Sequence, residues 1–320
     1  MRVENGAMFE VPVVAGSSVF GWRTRAVDAQ LADSFFIIIK QILILLPSTQ
    51  AYPWLNGLDC CAQRTAQDKH HRNRGSMAAP PHASQHASSE RRFFGGMALA
   101  IMICVFIGFA RSFYLKPIFT DWPVPFAPFF MVHGLEFTAW VLLLLVQTTL
   151  IARERIDLHR KTGTFGAALA IAMVVLGVWG ALIAANRPTG FVGVPVPPLQ
   201  FLAVPLFAMA LFFIFVALAV ALRRNAQSHK RLMMLASVQL VTAAIARRPV
   251  IADYGPPAFF GITDLFIVAL AIRDFRARGR LHPVTLFGGL LTIASQPGQR
   301  MLSGPESWLS FARCATGLLG

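Results

Sequence analysis

Seven apolar runs follow one another from Phe93 onward, and the connections between them alternate between strongly basic and nearly neutral. Arg and Lys are retained on the cytoplasmic side of an inserted chain, so this alternation predicts an all-α polytopic transmembrane helical bundle. The runs cover about 93–110, 127–151, 162–185, 199–222, 232–246, 257–272 and 283–296. The last three are short for a hydrocarbon core of about 30 Å and need extension or little tilt to cross it. Arg91 and Arg92 precede the first run. Arg153, Arg155, Arg160 and Lys161 fill the second connection, Arg223, Arg224, Lys230 and Arg231 the fourth, and Arg273, Arg276, Arg278 and Arg280 the sixth. The opposite connections carry only Arg111 with Lys116, then Arg187, then Arg247 with Arg248. This bias predicts seven spans with the N-terminus inside and the C-terminus outside.

Composition excludes a soluble domain, since 55% of the residues are hydrophobic and only 14% charged. The net charge of +14 sits in short clusters at the ends of apolar runs. That placement fits anionic lipid headgroups and topology rather than nucleic acid. The expected partner is the lipid bilayer of a bacterial cytoplasmic (inner) membrane, with a homo-oligomer or a membrane complex as further partners. Cys60, Cys61, Cys104 and Cys314 form no spaced framework, so no structural disulfide is expected.

Three regions are expected: residues 1–90, 91–296 as the transmembrane domain, and 297–320 as an outer interfacial tail. Residues 1–90 read as a disordered or over-long N-terminal extension, with Met77 as a natural start of translation. Its one apolar segment, Phe35 to Leu46, is interrupted by Lys40 and closed by Pro47. Twelve helical residues reach about 18 Å, too little to span. In the tail, Trp308 and Phe311 beside Arg300 and Arg313 suggest a helix lying at the interface.

Two polar layers are candidate sites. His159, His229 and His282 each stand just before an outgoing run and hence at one depth, where two facing imidazoles could hold haem b. The alternative is a set of anchoring headgroup contacts, and no cofactor is needed to explain them. In the outer half, His133 and Asp264 lie about six or seven residues into their runs, about 9 Å deep. Glu136 shares the His133 face, while Arg111 and Arg247 end their runs on the same side. Each of these groups buried alone costs about 2.5–3.5 kcal/mol, so pairing is expected, Arg247 with Asp264 first. This pocket of Arg111, His133, Glu136, Arg247 and Asp264 reads either as a helix lock aided by Gln239 and Gln147 or as a site handling protons or a small solute.

Weaker signals read as structural. Cys60-Cys61 with His70-His71 lacks the paired spacing of a zinc site, and no metal centre is expected. Gly95-Gly96, Gly163 with Gly166, and Gly288-Gly289 suggest close helix packing. Pro195, Pro197, Pro198 and Pro205 mark a loop and one tolerated helix proline. Trp122, Trp140, Trp179 and Tyr114 read as interfacial belt residues. Nucleotide-binding, serine-nucleophile and zinc-helix motifs are not found, so an enzyme is not the expectation.

The segments Ala110-Arg-Ser-Phe-Tyr-Leu-Lys-Pro117, His133-Gly-Leu-Glu-Phe-Thr-Ala-Trp140, Asp157-Leu-His-Arg-Lys-Thr-Gly163, Ser228-His-Lys-Arg-Leu-Met233 and Thr263-Asp-Leu-Phe266 resemble an uncharacterised family of bacterial polytopic inner-membrane proteins. The resemblance covers about residues 93–313. The His-Arg/Lys segments are also similar to membrane proteins of unknown function near haem-protein and oxidase-assembly groups. The resemblance implies that members often carry two histidines around the His133 position; Met131 stands here where the first would be, which argues against haem or metal at that place. The leading expectation is a non-enzymatic membrane protein with a buried polar site in the outer leaflet. A haem-binding redox or oxidase-assembly component and a structural scaffold of a membrane complex are the alternatives.

Overall fold

A computed structural model describes residues 81–119, 127–192, 194 and 196–318. The apolar segment Phe35 to Leu46, the start at Met77, Cys60, Cys61, His70, His71, Trp122 and Pro195 lie outside the described residues. Among the described residues the chain is helical, with no strand. It runs through α1 (Pro81–Phe109), a π-helical turn (Ala110–Tyr114), α2 (Pro128–Ala152), α3 (Ile156–Ala185), α4 (Pro198–Phe201) and α5 (Ala203–Ala221). It continues through α6 (Ala226–Ile245), α7 (Pro249–Ala252), α8 (Pro256–Arg278), α9 (Pro283–Ser303) and α10 (Glu306–Gly317). Each of the seven apolar runs from Phe93 onward falls on these helices, the fourth across α4 and α5.

Among the described residues four segments are long and apolar enough to cross a membrane: Ser88–Tyr114, Pro128–Ala152, Ile156–Ala185 and Pro198–Ala221. The last is α4 and α5 read as one. Pro205 has no N–H for the carbonyl of Phe201, and the helix is interrupted at Leu202 for that reason. The three short runs become helices of 20, 23 and 21 residues in α6, α8 and α9. Twenty residues reach about 30 Å, so length does not separate them from the other four. Polarity does, and position explains why.

α6 is the hub. It packs against α1, α5, α8 and α9. Thirteen of its twenty residues are buried, including Ser228, Arg231, Ser237 and Gln239. A helix enclosed by other helices faces little lipid, and its polar groups need protein partners instead. Asn225 caps its start by accepting from the backbone N–H groups of Gln227 and Ser228, both at 3.1 Å. α1 comes so close to it that a Cβ on Gly108 would overlap the Ala244 carbonyl.

Successive long helices alternate in direction, which gathers the basic connections at one end. Arg91 donates to Glu154 at 2.9 Å, Lys230 pairs with Glu90, and Arg278 donates to Gln227, which ties α1, α6, α8 and the connection after α2 together there.

Several side chains depart from the sequence reading. Trp140 is not an interfacial belt residue: it is buried, and its indole N–H donates to Ser237 Oγ at 3.2 Å, because α2 turns that face toward the hub. Gly288 and Gly289 do serve close packing, against Leu235 and Ile267, but Gly95, Gly96 and Gly163 have open space where a Cβ would lie. α9 continues through Pro297 to Ser303, and α10 folds back so that Trp308 donates to the Leu199 carbonyl at 2.8 Å while Ala312 packs with Ala181 and Leu202.

Candidate functional site: a cavity at the less basic end

At the end opposite the basic connections, α1, α2, α3, α5, α6, α8 and α9 together surround a cavity of about 290 Å³. That volume is close to the lower bound of small-molecule sites, about 300 Å³. The space arises because α3 presents a small face there. Gly177, Gly180, Ala181 and Ala184 recur at helical spacing along it. Opposite stand aromatic rings, among them Phe109, Phe113, Phe137 and Phe259.

The polar groups divide into two sets. On the α6, α8 and α9 wall, Gln239 donates to Thr292 Oγ1 at 3.0 Å and Thr242 donates to Thr263 Oγ1 at 3.1 Å. Thr292 and Thr263 pass their own protons to the carbonyls of Gly288 and Phe259. Satisfied hydroxyl and amide groups of this kind let a polar wall exist inside a bundle. The second set is cationic: Lys116, Arg187 and Arg247. Arg187 stacks over the Phe130 ring at 4.0 Å and Arg247 over Phe109 at 4.3 Å. Among the described residues no Asp or Glu lines the cavity.

Of the residues that the sequence singles out for a pocket, His133 and Arg247 line this cavity and Arg111, Glu136 and Asp264 do not. Arg247 and Asp264 do not pair. Arg247 donates to the Ala243 carbonyl one turn back, while Asp264 accepts from Gln296 Nε2 at 2.7 Å. The physical reason is rotational: similar depth on two helices does not make two side chains face each other. His133 sits against Phe137, with ring centroids 4.4 Å apart, and its Nδ1 is buried without a partner among the described residues. Glu136 is buried, with Oε2 equally unpartnered among them. Arg111 lies over the Phe119 ring. Gln147, expected near the pocket, instead donates to Thr162 Oγ1 at 2.8 Å toward the basic end.

At the basic end the three boundary histidines separate. His159 and His229 face each other with perpendicular rings, centroids 6.3 Å apart. His229 Nδ1 lies 2.8 Å from the Ala219 carbonyl, and His159 Nδ1 has no partner among the described residues. His282 is used differently, as the N-cap of α9: its Nδ1 accepts from the Val284 N–H at 3.2 Å. Accepting requires the neutral ring. Burial and the nearby Arg231, Arg278 and Lys230 hold its pKa below the ordinary 6.5, with Asp274 acting in the opposite sense.

The sequence reading missed the most buried charge pair. Arg231 and Asp274 join α6 to α8 with side chains 2% and 0% exposed. Arg231 Nε donates to both Asp274 oxygens at 3.0 and 3.2 Å, and Nη2 donates to Oδ1. Asp274 Oδ2 also accepts from Thr285 and from the His282 N–H at 3.2 Å, while Arg231 Nη1 donates to the Gln227 carbonyl at 2.7 Å. A lone acid inside the basic run Arg273-Asp-Phe-Arg276 was the available signal.

Its apolar helices make the chain an integral membrane protein. No family model, curated protein or solved structure matches it.

Proposed function

We propose that this chain is a seven-span protein of a bacterial cytoplasmic membrane, N-terminus inside and C-terminus outside, whose cavity opens outward and receives a small solute. The observation that carries this reading is that all seven long helices contribute to one cavity with both satisfied and unsatisfied polar groups. A bundle held only by packing has no need of such a space. His133 is the imidazole of its wall and the candidate for any proton exchange with the solute. The Arg-rich end lies in the cytoplasm on the positive-inside argument.

Cysteine labelling tests orientation and access together. In a cysteine-free background, Arg155→Cys reacts with an impermeant maleimide only in inside-out vesicles. Thr189→Cys and the cavity position Ala243→Cys react only in right-side-out cells. Labelling of positions 155 and 189 from the same side refutes the topology, and an Ala243→Cys that reacts only from the cytoplasm refutes the outward opening.

A redox reading has one observation in its favour. His229 engages a backbone carbonyl through Nδ1, as metal-ligating histidines do, and its ring centroid lies 6.3 Å from that of His159. Haem b held by His159 and His229 gives the purified protein a Soret band that His229→Ala abolishes. Protein expressed with haem supply and lacking that band removes the redox reading.

A further inference from the structure

We infer that the ligand of the outer cavity is an amphipathic organic anion, a carboxylate with a compact apolar body, held at its head by Arg187 and Arg247. This deepens the cavity reading above and rests on it.

Arg187 follows the C-terminal end of α3, and Arg247 follows that of α6. The two lie within electrostatic reach of each other. Among the described residues neither forms an ion pair and no acid lines the cavity. Each guanidinium instead packs against an aromatic face, Phe130 or Phe109, which holds its plane and leaves most of its N–H donors unused.

At the basic end of the same protein the enclosed guanidinium of Arg231 is paired with a carboxylate, that of Asp274. Two like charges at the rim of a low-dielectric space attract an anion from outside. A planar fork of donors matches a carboxylate in bidentate fashion. The other features set the rest of the ligand. The small face of α3 and the rings of Phe137 and Phe259 take an apolar body, and Gln239 and Thr242 leave room for one further polar group.

The full chain in phosphatidylcholine nanodiscs is titrated with octanoate, 4-phenylbutyrate and, as the uncharged comparison, 1-octanol, with binding read by calorimetry and by the shift of the unfolding temperature. At least one carboxylate binds saturably and octanol does not. Arg187→Met and Arg247→Met each weaken that binding about ten- to hundredfold. Arg155→Gln, an exposed cation at the far end, leaves it unchanged. Unfolding temperatures of the unliganded variants show that the loss is not misfolding.

Binding of octanoate alone identifies an acyl-lipid source, and binding of phenylbutyrate as well identifies soluble acids; either supports the inference. Octanol binding as tightly as octanoate, with both lost on filling the cavity by Ala184→Phe, overturns the anion and leaves the cavity reading intact. Absence of saturable binding by all three overturns both. Carboxylate binding that survives Arg187→Met and Arg247→Met together overturns the assigned head site.

Discussion

Replacing Asp274 by asparagine removes the carboxylate paired with Arg231 while leaving the side-chain shape nearly the same. The pair is enclosed, with exposures of 2% and 0%, and Asp274 accepts from Arg231, Thr285 and the His282 backbone. A guanidinium buried without its counter-charge costs about 3–5 kcal/mol, and Arg231→Met, which leaves the carboxylate behind, costs a similar amount. At about 2–4 °C per kcal/mol for a chain of this size, each single change lowers the unfolding temperature by about 10 °C. Arg231→Met with Asp274→Leu buries neither charge, so its loss falls well below the sum of the singles. Thermal unfolding in detergent, followed by tryptophan fluorescence, measures all four corners of the cycle. A double variant that loses the sum of the two singles refutes the coupling. Single losses under about 1 kcal/mol refute the burial, since that is the range of an exposed pair.

Arg247→Ala and Asp264→Asn are expected to have additive effects on stability, because Arg247 binds Ala243 and Asp264 binds Gln296; a coupling above about 0.5 kcal/mol in the same unfolding assay contradicts the geometry. His282 is neutral as a cap and its pKa is held below 6.5, so its contribution is present above pH 6.5 and is lost as pH falls through the depressed value. His282→Ala therefore costs about 1 kcal/mol at pH 8 and less at acid pH, which unfolding midpoints at the two pH values report. Gly108→Leu forces α1 away from Ala244 and destabilises more than Gly95→Leu, which meets open space; equal losses in the thermal assay argue against the close approach.

What the sequence disclosed and what it concealed have one physical source. Lipid-facing helices carry their apolar signal in their own residues, so the runs of α2, α3 and α5 are legible from hydropathy with ends within a few residues of those in the fold. α6 and α9 owe their place to neighbours, and their polar residues shorten the apolar runs by which hydropathy marks them. The polar set was found in part. Depth along a helix is readable from residue counting, and His133 and Arg247 do reach one cavity. Rotation about the helix is not readable when a helix is apolar nearly all round, and Asp264 accordingly finds Gln296 on α9 instead of Arg247.

Arg231 shows the limit of reading charge as topology. It belongs to the cluster Arg223, Arg224, Lys230 and Arg231 and adds to the same bias, yet it is buried while Arg223 and Arg224 are exposed. A charge can orient a chain during insertion and afterwards serve as an internal partner, because the two roles act on different states. Among the described residues the fold thus concentrates its paired charges where α1, α6, α8 and α9 meet the basic end, and gives Arg187 and Arg247 no acid at the other. Locking one end of a helical bundle leaves the other freer to change, since opening costs least where the fewest buried contacts must be broken. The cavity lies at that second end, and a ligand that supplies the missing negative charge there would complete the pairing that Asp274 supplies at the first.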